Sequence, residues 1–214
     1  MIAAELKYRG LNTSAYITSE NASINFFCDS DALRIKLGAL MSAIENYQYK
    51  INKAEIECIK NIIEIHNQKI QALRDELIAL KRQSGIIIFK KKAKQEAKRI
   101  RNEINAHKKQ IAELNSNIEK LDQQSFPAAI VLKSKYKATL KMLGFTYKTS
   151  QNINVATNSD IYEATLTSEQ LFKRAKTMLK KLEVNRELNI LEIRRKYKKL
   201  ANDLQPNNDT EIEK

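Results

Sequence analysis

Residues 93–121 read AKQEAKRIRNEINAHKKQIAELNSNIEKL. Within them Ala93, Ala97, Ile100, Ile104, His107, Ile111, Leu114, Ile118 and Leu121 recur at spacings of four and three, and neither glycine nor proline interrupts. A helix with that spacing buries one narrow seam and needs a second helix to bury it against. Pro127 closes the run, because proline lacks the N–H that the next turn would use.

The partner lies upstream. From about Ala32 to Gln83 there is no proline, and Gly38 is the only glycine. Leu37, Leu40, Ile44, Tyr47, Ile51, Ala54 and Cys58 keep the three–four alternation. Cys58, Ile62, His66 and Ile70 are then each four apart, before Leu73, Leu77 and Leu80 restore the pattern. This is a seam with one stutter. Fifty residues of helix would reach about 75 Å at ~1.5 Å per residue. Gly85 lies between the two runs, so the sequence predicts an antiparallel hairpin of helices. One register serves its whole length. Leu80 faces Ala93, Leu73 faces Ile100, Ile62 faces Ile111 and Ile59 faces Leu114, each pair of numbers adding to 173. The same register sets His66 opposite His107.

Outside this pair the pattern changes. Residues 15–18 and 23–28 alternate around a turn-prone Ser19-Glu20-Asn21 and read as a β-hairpin. Asp29, Ser30 and Asp31 offer N-caps for the helix that follows. Ala128 to Leu143 is a short helix stopped by Gly144. Residues 145–149 and 160–165 read as strands, with 153–155 a further short extended stretch. Thr167 and Gln170 form a capping box, and Leu166 with Leu171 a hydrophobic staple, at the start of a third long helix from Ser168 to about Leu204. Neither strand pair is enough sheet to stand alone, so the two are expected to join.

The expected fold is therefore mainly α: a long antiparallel coiled-coil hairpin inserted in a small α+β head, plus a long C-terminal helix. Residues 1–31 would give the head's N-terminal hairpin and 32–124 the arm, with its tip at 84–90. Residues 125–167 would complete the head, 168–204 would form the basic last helix, and 205–214 would be a disordered tail. The apolar positions of the last helix need a surface, either the arm or the same helix of a second copy in a homodimer, and the sequence does not choose. Four glycines and two prolines among 214 residues exclude a turn-rich all-β fold.

Charge points to the partner. Residues 81–110 hold eleven bases against two acids, and 168–204 eleven against five, while the whole chain is +13. The excess therefore sits on the arm's far half and the last helix, and the rest of the chain is slightly acidic. Lys81, Arg82, Lys90, Lys91, Lys92, Lys94, Lys98, Arg99 and Arg101, with Arg194, Arg195 and Lys196, are the candidate contacts for nucleic acid, for a nucleic-acid-containing complex, or for an acidic protein surface. A solvated coiled-coil exterior is also often Lys-rich, but it is normally laced with Glu–Lys pairs four apart, and 90–101 has almost none. The bend carries Ile86, Ile87, Ile88 and Phe89 amid bases. That set either caps the hairpin by folding inward or forms a docking tip for a protein, as in small adaptors and inhibitors of phage or mobile elements. Lys133, Lys137 and Lys141 share a helix face, which outlines a weaker nucleic-acid signal against the commoner solvated face.

Catalysis finds little to build on. There is no P-loop, GxGxxG, HExxH, GxSxG or CxxC, and both histidines fall on the seam, where a polar layer that fixes register is the commoner role than a metal site. A non-catalytic protein without metal or cofactor is expected. Met1–Lys7 opens no secretory leader, no apolar run exceeds five residues, and Cys28 and Cys58 read as reduced thiols, so the expected location is cytoplasmic, with no membrane span.

Overall fold

A computed structural model describes residues 13–18, 20–83, 90–148 and 159–205. The chain is mainly helical, with a small four-stranded antiparallel sheet and a long C-terminal helix. In chain order the elements are β1 (Thr13–Thr18), β2 (Ile24–Cys28), α1 (Asp31–Glu45), α2 (Tyr47–Gln83), α3 (Lys90–Gln123), α4 (Ala129–Leu143), β3 (Phe145–Lys148), β4 (Ser159–Ala164) and α5 (Ser168–Leu204). The extended stretch expected at 153–155, the bend at 84–89 and the tail beyond 205 lie outside the described residues.

Two compact units divide the chain: residues 1–50 with 125–188, and 51–124 with 189–214. In the first, the sheet order is β2-β1-β4-β3. The N-terminal hairpin and the later strand pair do join, through β1 against β4, with Ala15 opposite Tyr162 and Ile17 opposite Asp160. Alternation sends Ala15 and Ile17 to one face. There they meet Leu33, Leu37, Leu40 and Met41 of α1, Leu132, Tyr136 and Leu140 of α4, and Leu171 and Ala175 of α5. Burial of this apolar set stabilises the unit at roughly 25 cal/mol per Å² removed from water.

Local signals set the ends of these elements. Leu33 N–H donates to Ser30 Oγ at 3.3 Å, capping α1. Gly144 ends α4 at φ +99°, and its N–H donates to the Leu140 carbonyl at 3.1 Å. Thr167 and Gln170 exchange the two bonds of a capping box at 3.2 and 3.4 Å.

One expectation needs correcting. The helix anticipated as unbroken from 32 to 83 is interrupted at Asn46, which separates α1 from α2. The Asn46 side chain donates to the Ser42 carbonyl at 2.9 Å and approaches the Ser42 hydroxyl at 3.3 Å. An asparagine that bonds the preceding turn competes with the helix ladder, a local effect that apolar periodicity does not register.

In the second unit α2 and α3 run side by side in antiparallel order. Asn52 bonds the Leu121 carbonyl, His66 meets His107, and Arg99 reaches Glu76. Ile70, Ile100 and Ile104 are buried between them, with Leu73, Leu77, Leu80 and Ile111 packed alongside. The C-terminal part of α5 meets α2 where the Tyr197 hydroxyl donates to Glu55 Oε1 at 2.9 Å.

Candidate nucleic-acid interface

The seam of α3 determines where its charges go. With Ala93, Ala97, Ile100, Ile104 and His107 turned toward α2, a step of 100° per residue carries Lys94, Lys98, Arg101 and Lys108 onto one flank. All four are exposed. Asn105 fills the gap in their spacing, and the stripe runs about 21 Å at ~1.5 Å per residue. Lys109 is exposed beside it.

The two acids of this region, Glu96 and Glu103, sit on the opposite flank, where Arg99 gathers them. Its guanidinium approaches Glu96 Oε1 at 2.7 Å, Glu103 Oε2 at 3.3 Å and Glu76 Oε1 of α2 at 3.8 Å. The hydrogen bond and charge of Glu96 push the Arg99 pKa up. Arg99, counted among the candidate phosphate contacts, is thus occupied by three carboxylates. Its local effect is to hold negative charge away from the Lys94–Lys108 flank.

The remaining candidates are dispersed. Lys81, Arg82 and Lys92 are exposed near the ends of α2 and α3 that flank residues 84–89. The side chains of Lys90 and Lys91 lie outside the described residues, as do Ile86, Ile87, Ile88 and Phe89. Arg194, Arg195 and Lys196 are exposed on α5, with Lys196 Nζ 5.3 Å from the Tyr197 ring centre. The α4 lysines behave differently. Lys133 and Lys137 lie 3.0 and 2.9 Å from Asp160 Oδ2 and tie α4 to β4. Burial alone would raise the Asp160 pKa, but the bonds from Lys137 and Lys133 outweigh it and hold the carboxyl below its ordinary value. These two lysines serve the fold of the first unit.

Two polar layers interrupt the α2–α3 seam. His66, 3% exposed, and half-buried His107 approach Nδ1 to Nδ1 at 2.9 Å. One ring must donate and the other accept, a condition that two neutral rings meet by taking opposite tautomers. Burial, then the His107 and Lys69 charges, lower the His66 pKa. Asn52, 2% exposed, donates to the Leu121 carbonyl at 2.7 Å. The histidine pair is legible in the seam register. Asn52 is not, its only signal being a polar residue directly beside a seam position, and neither is Asp160, a lone acid until the sheet forms. No group of three His, Cys, Asp or Glu able to hold a metal lies together among the described residues. The Cys28 and Cys58 thiols are both pushed up by burial.

Comparison with protein-family models, with curated proteins and with solved structures found no match.

Proposed function

We propose that the protein is a non-catalytic binder of nucleic acid, or of a nucleic-acid-containing complex, and that α2 and α3 form an antiparallel coiled-coil hairpin whose basic flank makes the contact. The observation that carries this reading is the segregation of charge on α3. Lys94, Lys98, Arg101 and Lys108 are exposed on one flank while Arg99 retains Glu96 and Glu103 on the other. A stripe of like charges at heptad spacing repels itself by several tenths of a kcal/mol per pair, and a polyanion relieves that repulsion. Lysines spaced along ~21 Å match a phosphate backbone, and contacts of this kind are insensitive to base sequence. Lys81, Arg82 and Lys92, and Arg194, Arg195 and Lys196, extend the positive field. The reading places the protein in the cytoplasm, and no helix among the described residues is long and apolar enough to cross a membrane.

The test is salt-dependent binding of a labelled 25-base-pair duplex of arbitrary sequence. Four phosphate contacts predict a slope of log K against log salt of about −3.6. Lys94→Glu with Lys98→Glu should weaken binding at least about tenfold, and each lysine removed should reduce the slope by about 1. A slope near zero, or full binding by the double variant, refutes the proposal. Capture of a partner protein that resists nuclease and is lost with Ile87→Ser and Phe89→Ser would replace it with the docking-tip adaptor.

A further inference from the structure

The first unit contains a feature unrelated to the basic stripe. A groove of about 340 Å³ opens between the β1–β2 turn, α1 and α4. Phe26, Met41 and Leu132 give it an apolar lining, Tyr136 adds a second ring, and Glu45 stands at the end of α1, two turns beyond Gly38. The volume lies within the range of small-molecule sites.

Gly38 is the first clue. A glycine inside a helix destabilises it relative to alanine, so its presence calls for a reason. Its backbone is not in the left-handed region, and a Cβ built there would meet nothing within 4 Å. Neither conformation nor close packing requires the glycine. Its missing side chain leaves the groove open.

Glu45 and Tyr136 are the second clue. The Glu45 side chain, exposed at the rim of the groove, makes no ion pair or hydrogen bond with any described residue, although the chain as a whole is strongly basic. Tyr136 is 3% exposed, and its hydroxyl has no hydrogen-bond partner among the described residues. Burial, then the charge of Glu45, push the phenol up to about 12, so it is neutral at physiological pH and able to donate or accept. The groove therefore combines apolar walls, aromatic surface and one unpaired carboxylate. That set complements an ammonium group carried on an apolar body.

We propose that this groove binds a small organic cation, its ammonium at Glu45 and its apolar portion against Phe26, Met41 and Leu132. Recognition of this kind runs against the net charge of the protein, which would by itself favour anions.

Three probes of similar body and different charge test it on the full chain, by titration followed in two-dimensional NMR: 2-phenylethylamine, 2-phenylethanol and 3-phenylpropionate. The amine should bind at least about tenfold more tightly than the alcohol, with the carboxylate weakest, and should shift resonances of Gly38, Glu45 and Tyr136. Glu45→Gln should bring amine and alcohol to equal affinity. Gly38→Leu, which places a side chain in the open space, should abolish binding of both while the circular dichroism spectrum is kept. Carboxylate binding as tight as that of the amine, amine binding unmoved by Glu45→Gln, or no shifts at 10 mM amine would each overturn the proposal.

Discussion

Acidification should loosen the α2–α3 pair at its histidine layer, and the structure sets both the direction and the limit of the effect. The Nδ1–Nδ1 contact of 2.9 Å accepts two neutral rings of opposite tautomer, or one imidazolium donating to a neutral ring. Two imidazoliums would put donor against donor, beside Lys69 on α2 and with the nearest acid of α3, Glu103, already held by Arg99. His66 has its pKa lowered below the ordinary 6.5, so the unfolded chain takes up a proton that the folded chain resists. Stability is therefore full above pH 6.5 and falls as pH drops through that value toward the folded one. One proton of difference corresponds to about 1.4 kcal/mol per pH unit, which limits the loss between pH 6.5 and 5 to about 2 kcal/mol. For a chain of this size that is a fall in Tm of roughly 4–8 °C. Thermal melts at 222 nm from pH 8 to pH 5 measure it, and a His66→Leu, His107→Leu double variant isolates the layer from general charge repulsion. Two apolar residues of seam type should fill the site with no loss at pH 8 and should flatten the curve across this range. A wild-type Tm that is level from pH 8 to 5, or a double variant as acid-sensitive as the wild type, would refute the reasoning.

Other perturbations probe the rest of the fold. Leu140→Ala removes a fully buried side chain from the core of the first unit and should cost about 2–5 kcal/mol in urea unfolding. Gly144→Ala should cost at least about 1–2 kcal/mol, since φ is +99° and the new Cβ would lie 2.8 Å from Leu166 Cδ1; an unchanged denaturation midpoint would contradict the αL cap. Asp160→Asn leaves Lys133 and Lys137 side by side without their carboxylate, and should cost about 1 kcal/mol at pH 7 after allowance for the partly exposed Lys137. Because the Asp160 carboxyl is held below 3.8, its contribution is full above that pH and disappears as pH falls through the folded value, so wild type and variant should converge in strong acid.

Elements whose signals are local or strictly periodic are legible in the residues alone. The three–four alternation from Ala93 to Leu121 names a helix with one apolar seam, because only a 3.6-residue repeat brings those side chains to one face. Gly144 and the Thr167–Gln170 box mark two helix ends, since a cap depends on residues within one turn of it, and Asp29–Asp31 narrow a third to three candidates, of which Ser30 is the cap. Register arithmetic placed His66 against His107, for a long seam has few alignments that bury every position. The break at Asn46 escaped because a side chain bonding its own preceding turn leaves the apolar pattern intact. Tertiary structure alone decided the meetings of residues far apart in the chain: Asp160 with Lys133 and Lys137, Tyr197 with Glu55, Glu45 with Tyr136 across one groove. It also decided that Arg99 is a clamp for acids while its neighbours stay exposed. A charge count treats every base alike, whereas which bases are free depends on which carboxylates the packed helices bring within reach.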